Sequence, residues 1–334
     1  MTKVSIIGAG AWGTALACIS RRANHEVMLW ALEDEVVQSV NAEKGNPMYL
    51  PGVNLDKGIF ATGDIAEAIA KSQVVFSVVP SQFFRSVAEK IAITIEPGIP
   101  LVICSKGIEV KTGALLTEIA DEVIQKNPVL VLSGPSFAHE TIAGSPTAVA
   151  LASTNLKDAE IITSLIGTNR FRPYPMDDPI GAEVGGAAKN VLAIACGIVV
   201  GREMGDNTRA ALITRGLFEM AMLGVAKGAK ARTFMGLSGL GDLTLTCNGP
   251  KSRNMSLGVE LGKGYCLAEI LAKRNSIAEG VETARGIVAL ARKLHVELPI
   301  MEAVNRILHN QADINQAIHN LLERPFTPEF KGLD

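Results

Sequence analysis

A mixed α/β fold, in which a mainly parallel sheet covered by helices on both faces precedes an all-helical region, is predicted by three observations. Short β-branched runs alternate with amphipathic stretches through the first half of the chain. Those runs are apolar at nearly every position, as strands buried on both faces are. After about residue 180 they give way to helical periodicity rich in Ala, Leu and Met. A length of 334 residues suits two domains of about 150 residues each.

In chain order, strands are expected at 4–7, 27–30, 74–79, 100–105, 129–133 and 147–152, with helices at 12–22, 81–92 and 114–126 between them. Strand, helix, strand repetition of this kind builds a parallel sheet. Pro and Gly cluster at 177–181, so the domains are set at 1–180 and 181–334. Helices are then expected at 208–223, 251–262, 283–294, 299–310 and 314–322. The stretch 181–201 reads as a buried helix: its uncharged part is shorter than the roughly 20 residues a bilayer requires, and glycines interrupt it.

Composition narrows the function. A formal charge of −2 carries no electrostatic footprint for nucleic acid or an anionic membrane, so an anionic ligand must be held by local groups. The five cysteines include no CxxC and the five histidines no HExxH, which points to neither a disulfide framework nor a metal centre. The opening "MTKVSIIGAG" runs into an apolar strand without a secretory pattern, and a cytoplasmic protein is expected.

"SIIGAGAWGTALA" carries Gly8, Gly10 and Gly13 as GxGxxG, directly after the first strand and opening the first helix. Gly8 permits the tight turn, Gly10 lets backbone approach a pyrophosphate, and Gly13 allows close helix packing, while the helix N-terminus offers N–H groups to the anion. In that context the pattern specifies a dinucleotide site on a doubly wound, Rossmann-type sheet. Past the second strand, "WALEDE" offers Glu33 and no Arg or Lys between Trp30 and Gln38, which favours NAD over NADP. Two readings of Glu33 stay open, a ribose contact and a solvated residue in the first turn of a helix.

"VICSKGIEV" places Lys106 just beyond a strand of the sheet, at the edge where ligands of such folds bind. "VPSQFF" and "SGPSFAHE" follow strands too, bringing Phe83, Gly134, Ser136 and Ala138 toward that edge. In the helical half, "GLSGLGDLTLTC" carries Asp242 on a glycine-rich loop and "GPKSRN" carries Ser252, Arg253 and Asn254. Arg253 is a planar fork suited to phosphate or a solvated side chain, and both readings stand. Lys189 is the sole charge between Gly185 and Gly201. It is either a lysine set in a cleft, its pKa lowered by burial and raised again by a carboxylate such as Asp242, or one that snorkels to water.

The ordered set "GAGAWGTALA", "SKGI", "GPSFAHE", "GGAAKN", "GLGDL", "SRN" and "AEGVET", spanning residues 8–283, resembles the bacterial NAD(P)-dependent glycerol-3-phosphate dehydrogenases. The resemblance implies a Rossmann domain joined to a helical domain, a homodimer, and reversible reduction of dihydroxyacetone phosphate to sn-glycerol 3-phosphate for the phospholipid backbone. It implies that Lys189 exchanges a proton with the substrate oxygen, that Lys106 polarises the carbonyl and touches cofactor, and that Asp242 orients the Lys189 centre. Ser252, Arg253 and Asn254 would bind substrate, with Arg253 on the phosphate and also on cofactor, and Gly134 and Ser136 would line the substrate site. Ala11, Trp12, Phe83, Ala138 and Glu279 match cofactor-side positions. Many bacterial members carry Arg where this chain has Leu32, so the usual partner of a 2′-phosphate is missing. Two rivals are a β-hydroxyacid-type dehydrogenase and a dinucleotide-sensing regulator without turnover.

Overall fold

The computed structural model describes residues 2–249, 251–274, 278–330 and 332. Eight strands, β1 Lys3–Ile7, β2 Glu26–Trp30, β3 Ile59–Thr62, β4 Val74–Ser77, β5 Leu101–Ile103, β6 Val129–Ser133, β7 Thr147–Ser153 and β8 Phe171–Met176, form one sheet in the order β3-β2-β1-β4-β5-β6-β7-β8. All neighbours pair parallel except β6 and β7. β4 and β5 are buried at every position, which is why their sequences are apolar without alternation. With β1 between β2 and β4, the chain reverses its direction of sheet growth there, and the turn after β1 opens at this switch point.

Helices α1 Ala11–Arg22, α2 Asp34–Asn41, α3 Ile65–Ile69, α4 Phe84–Thr94, α5 Leu116–Val123, α6 Ala138–Ile142 and α7 Leu156–Ile166 lie between the strands in sequence. The expected helix at 81–92 begins instead with a 3₁₀ turn, Ser81–Phe83, and becomes α-helical at Phe84. Two strands escaped the sequence reading. β3 is only four residues long, and β8 carries Pro173 and Pro175. Both are edge strands; at an edge a proline's missing N–H faces away from the ladder, so the prolines are tolerated.

Two compact units make up the chain: Met1–Ser105 with Leu116–Pro179, and Lys106–Leu115 with Ile180–Asp334. The linear division at 180/181 therefore does not hold for residues 106–115. Their assignment has a packing reason: Ile108 and Leu115 belong to the core of the helical unit, and a side chain at Gly286 would meet Ile108 backbone at 2.9 Å.

The helical unit contains α8 Pro179–Gly201, α9 Asp206–Lys227, α10 Asp242–Asn248, α11 Arg253–Gly262, α12 Leu267–Ala272, α13 Gly280–Leu294, α14 Pro299–His309 and α15 Ile314–Leu322. By length and composition α8 is able to cross a membrane, yet nearly all of it is buried in this core. Its glycines set how closely a neighbour packs. A Cβ on Gly197 would lie 2.1 Å from the Met255 carbonyl oxygen, and one on Gly258 would lie 2.1 Å from that of Ile194, so α8 and α11 touch backbone to backbone. A second tie is a buried carboxylate: Glu219 of α9 accepts from the backbone N–H groups of Ile300 (2.8 Å) and Met301 (3.1 Å), capping α14. Burial pushes that carboxyl up to about 7 although both N–H groups favour its charged form.

Candidate active site

In the first unit, the glycine turn has the shape a pyrophosphate needs. Gly8 has φ +119°, and a Cβ there would meet the Val78 carbonyl group at 3.0 Å. A Cβ on Gly13 would lie 1.8 Å from the Gly8 carbonyl oxygen, so the third glycine is required for helix and turn to meet. A Cβ on Gly10, by contrast, would project into open space. That space adjoins the α1 N-terminus, which begins at Ala11 with no side-chain cap and no acid in its first turn, a cradle for an anion. The residues present therefore fit a dinucleotide. Trp12 sits in the same turn, its ring 6.4 Å from that of Phe171.

Glu33 stands at the start of α2 beyond the end of β2, half-buried and making no side-chain capping bond, and accepts from the Tyr49 hydroxyl at 2.7 Å. Leu32 beside it is 76% exposed. Phe83 follows β4 and is exposed, while Gly134 and Ser136 follow β6 and Ala138 opens α6. Gly134 has φ +152°, and a Cβ on it would strike Val149 at 2.9 Å. Ser136 donates back to the Gly134 carbonyl at 3.1 Å, which closes the turn. β1, β4 and β6 run in the same direction, so these residues share the carboxyl edge of the sheet.

The helical unit brings three of the expected residues into direct contact. Lys106, from the segment Lys106–Leu115, donates to Asp242 Oδ2 at 2.5 Å, and Lys189 of α8 lies 2.8 Å from Asp242 Oδ1. Asp242, the first residue of α10, is 1% exposed. Burial opposes its ionisation, but the two ammonium groups outweigh it and hold the carboxyl below its ordinary range. For Lys189 the balance falls the other way. Burial lowers its ammonium to about 8, Lys106 adding to the fall and Asp242 resisting it. The direction that the sequence left open is thus downward, and the lysine is 8% exposed, buried rather than snorkelling.

Thr246, unremarked in the sequence, completes this cluster: Lys189 donates to its hydroxyl at 2.9 Å, and the hydroxyl donates to the Asp242 carbonyl at 2.6 Å. Helical spacing was the available signal, since 242 and 246 share one face of α10. Asn190, the neighbour of Lys189 in sequence, has partners that no spacing announced. It accepts from Asn254 Nδ2 at 2.9 Å, and Asn254 Oδ1 accepts from the Gly280 N–H at 3.0 Å. Buried Asn254 thus links α8, α11 and the start of α13, where Glu279 lies. Burial pushes the Glu279 carboxyl up, against the pull of Arg253, Lys189 and Lys106, so all three cations act on it.

Ser252 caps α11 by accepting from the Met255 N–H at 3.2 Å, which leaves its own proton to donate. Arg253, in the first turn of α11, is exposed. Its backbone carbonyl accepts from Arg274 Nη1 at 2.8 Å, and the same guanidinium reaches Ser256 Oγ (3.1 Å) and Glu260 Oε1 (2.7 Å). Arg274 is a further residue that no sequence pattern announced.

Comparison with known proteins reaches nearly the whole chain. Residues 3–159 match the model of the NAD-dependent glycerol-3-phosphate dehydrogenase N-terminus, and residues 178–319 that of its C-terminus. The chain is 54% identical to a glycerol-3-phosphate dehydrogenase [NAD(P)+] of Parvibaculum lavamentivorans over 98% of both chains. It is 50% identical to one of Rhodospirillum rubrum, over 98% of this chain and 93% of the other. A crystal structure of glycerol-3-phosphate dehydrogenase from Coxiella burnetii superposes with a TM-score of 0.93 at 40% identity, covering 97% of this chain and 99% of that one. Two lysines sharing one buried aspartate, a glycine cradle on a parallel sheet and matches at both ends together assign the chain to the NAD-dependent glycerol-3-phosphate dehydrogenase family.

Proposed function

We propose that the chain catalyses the reversible NAD(P)H-dependent reduction of dihydroxyacetone phosphate to sn-glycerol 3-phosphate, with Lys189 as proton donor. The observation that carries this reading is the single carboxylate of Asp242, buried and bonded to two ammonium groups at 2.5 and 2.8 Å. Two cations against one anion leave a net positive charge where water is scarce, suited to a carbonyl oxygen on which negative charge grows. A bound nicotinamide dinucleotide supplies the hydride.

Lys106 polarises the carbonyl and, in this reading, also meets the cofactor. Lys189, lowered to about 8, lies close enough to neutrality to give up a proton and regain it. Arg253, with Ser252 and Asn254, takes the phosphate, whose binding energy positions the carbonyl. Gly134 and Ser136 line the substrate; Gly8, Gly10, Ala11, Trp12, Gly13, Phe83, Ala138, Arg253 and Glu279 serve the cofactor. Glu33 beside exposed Leu32, with no adjacent cation, supports NAD over NADP. A homodimer in the cytoplasm, making glycerol 3-phosphate for phospholipids, belongs to the same proposal and is supported by the family likeness alone.

Replacing Lys189 by Ala tests the assignment. Reduction of dihydroxyacetone phosphate, followed by nicotinamide absorbance, should fall by about 10²–10⁴-fold, while NADH affinity measured by fluorescence stays within about twofold, because the glycine cradle belongs to the other unit. Parallel losses of rate and cofactor binding would remove Lys189 from its role.

A further inference from the structure

Asn46 is fully buried, yet it lies in the irregular stretch between α2 and β3. Its amide donates to the Ala9 carbonyl at 2.8 Å and to Thr14 Oγ1 at 2.8 Å, both within or next to the glycine turn. Its Oδ1 accepts from the backbone N–H of Tyr49 at 3.3 Å, and Tyr49 carries its own hydroxyl to Glu33 at 2.7 Å. Residues 46–49 thus tie the turn after β1 to the carboxylate after β2. These two strands are neighbours, paired Ile7 to Trp30 at their ends. A dinucleotide whose pyrophosphate lies in the glycine cradle extends its adenosine ribose toward the end of the second strand.

From this geometry we infer that Tyr49 is a specificity-determining residue: it holds the Glu33 carboxylate in place as an acceptor for a ribose 2′-hydroxyl and as a repulsive group toward a 2′-phosphate. The inference rests on the NAD-favouring reading above. A glutamate has three rotatable bonds, and a carboxylate at the entry to a helix otherwise turns toward water. One oxygen tethered to Tyr49 leaves the other to accept from ribose. Along the chain no Lys or Arg lies between Trp30 and Lys44, and Leu32 stands where a cation would face a 2′-phosphate. Burial and the Glu33 bond push the Tyr49 phenol up to about 12, so near neutral pH it keeps the proton it donates. Asn46 adds register, fixing the tyrosine's backbone against the same turn that holds the pyrophosphate.

The test measures binding rather than turnover, using ADP-ribose and 2′-phospho-ADP-ribose as probes in titration calorimetry on the intact chain. The unsubstituted protein should bind ADP-ribose about tenfold or more tightly than its 2′-phosphate. Tyr49→Phe should weaken ADP-ribose by about three- to tenfold and narrow the ratio between the probes, as loss of one hydrogen bond to an ionised acceptor predicts. Glu33→Gln, which keeps an acceptor and removes the charge, should narrow the ratio mainly by strengthening the phosphorylated probe. An unchanged ratio in Tyr49→Phe, with the melting temperature retained, overturns the assignment to Tyr49 alone. A preference of the unsubstituted protein for the phosphorylated probe overturns the NAD reading itself.

Discussion

Lys189 shows how one residue acquires function from its surroundings. On a helix of Gly, Ala, Val and Ile, its ammonium would be costly to bury alone, and Asp242 at 2.8 Å with Thr246 at 2.9 Å makes burial tolerable. The remaining cost appears as a pKa lowered to about 8. Reduction needs the ammonium form, so its kcat/KM should fall as pH rises through about 8, whereas oxidation of glycerol 3-phosphate should gain over the same range. Asp242→Asn sharpens the argument. The carboxylate raises the Lys189 pKa while burial and Lys106 lower it; without the carboxylate, only the smaller pull of Glu279 opposes that fall. The alkaline limb of the reduction profile should therefore move to lower pH, with a loss of about 10²-fold or more in rate. A limb that stays in place would show that Lys189 is not the titrating group.

At the scale of elements, the helical unit depends on how closely α8 and α11 approach. Gly197 and Gly201 on α8 face Gly258 and Gly262 on α11, each pair spaced four residues apart, so the two backbones meet along a stripe with no side chains. Lys189 lies two turns before Gly197 on the same helix, and Arg253 opens α11 one turn before Gly258. Forcing the helices apart at Gly197 displaces both ends of the site. Gly197→Ala would set its methyl group 2.1 Å from the Met255 carbonyl oxygen, a clash with backbone that a side-chain rotation does not relieve. A loss of about 3 kcal/mol is expected in urea unfolding, with the substrate KM rising more than that for NADH. Gly→Ala at an open helical position would instead stabilise by roughly 0.5–1 kcal/mol, so the sign of the change distinguishes a required contact from ordinary propensity. The four-residue glycine spacing in "GIVVG" and "GVELG" was visible in the sequence, but nothing local told which two helices would cross.

For the whole molecule, a charge of −2 confers no general attraction for a phosphate ester, so the proposed function assigns that affinity to Lys106, Lys189 and Arg253 where they stand. The chain also passes from the first unit to the second and back before residue 116, because Lys106–Leu115 packs with the helices. Ile108 and Leu115 are 2% and 0% exposed in that core, and loss of a buried side chain of this size costs about 2–5 kcal/mol. A fragment of residues 180–334 should accordingly keep its far-ultraviolet circular dichroism but lose near-ultraviolet signal and bind ANS. A fragment with native near-ultraviolet signal would show those ten residues to be dispensable. The parallel sheet, the glycine cradle, the helical second half and the residue types of the site were all legible along the chain, since each depends on periodicity or on spacing within a few residues. Edge strands β3 and β8 were not, one being very short and the other carrying prolines that only an edge position permits. Nor were Thr246 and Asn190 as partners, the tether of Tyr49 to Glu33, or the placement of Lys106 with the helices. Local pattern by itself determined the fold class, most of the elements and the residue types offered for the chemistry. Only the tertiary structure decided which of them meet, because contact across 136 residues, as between Lys106 and Asp242, depends on packing that no short stretch of chain encodes.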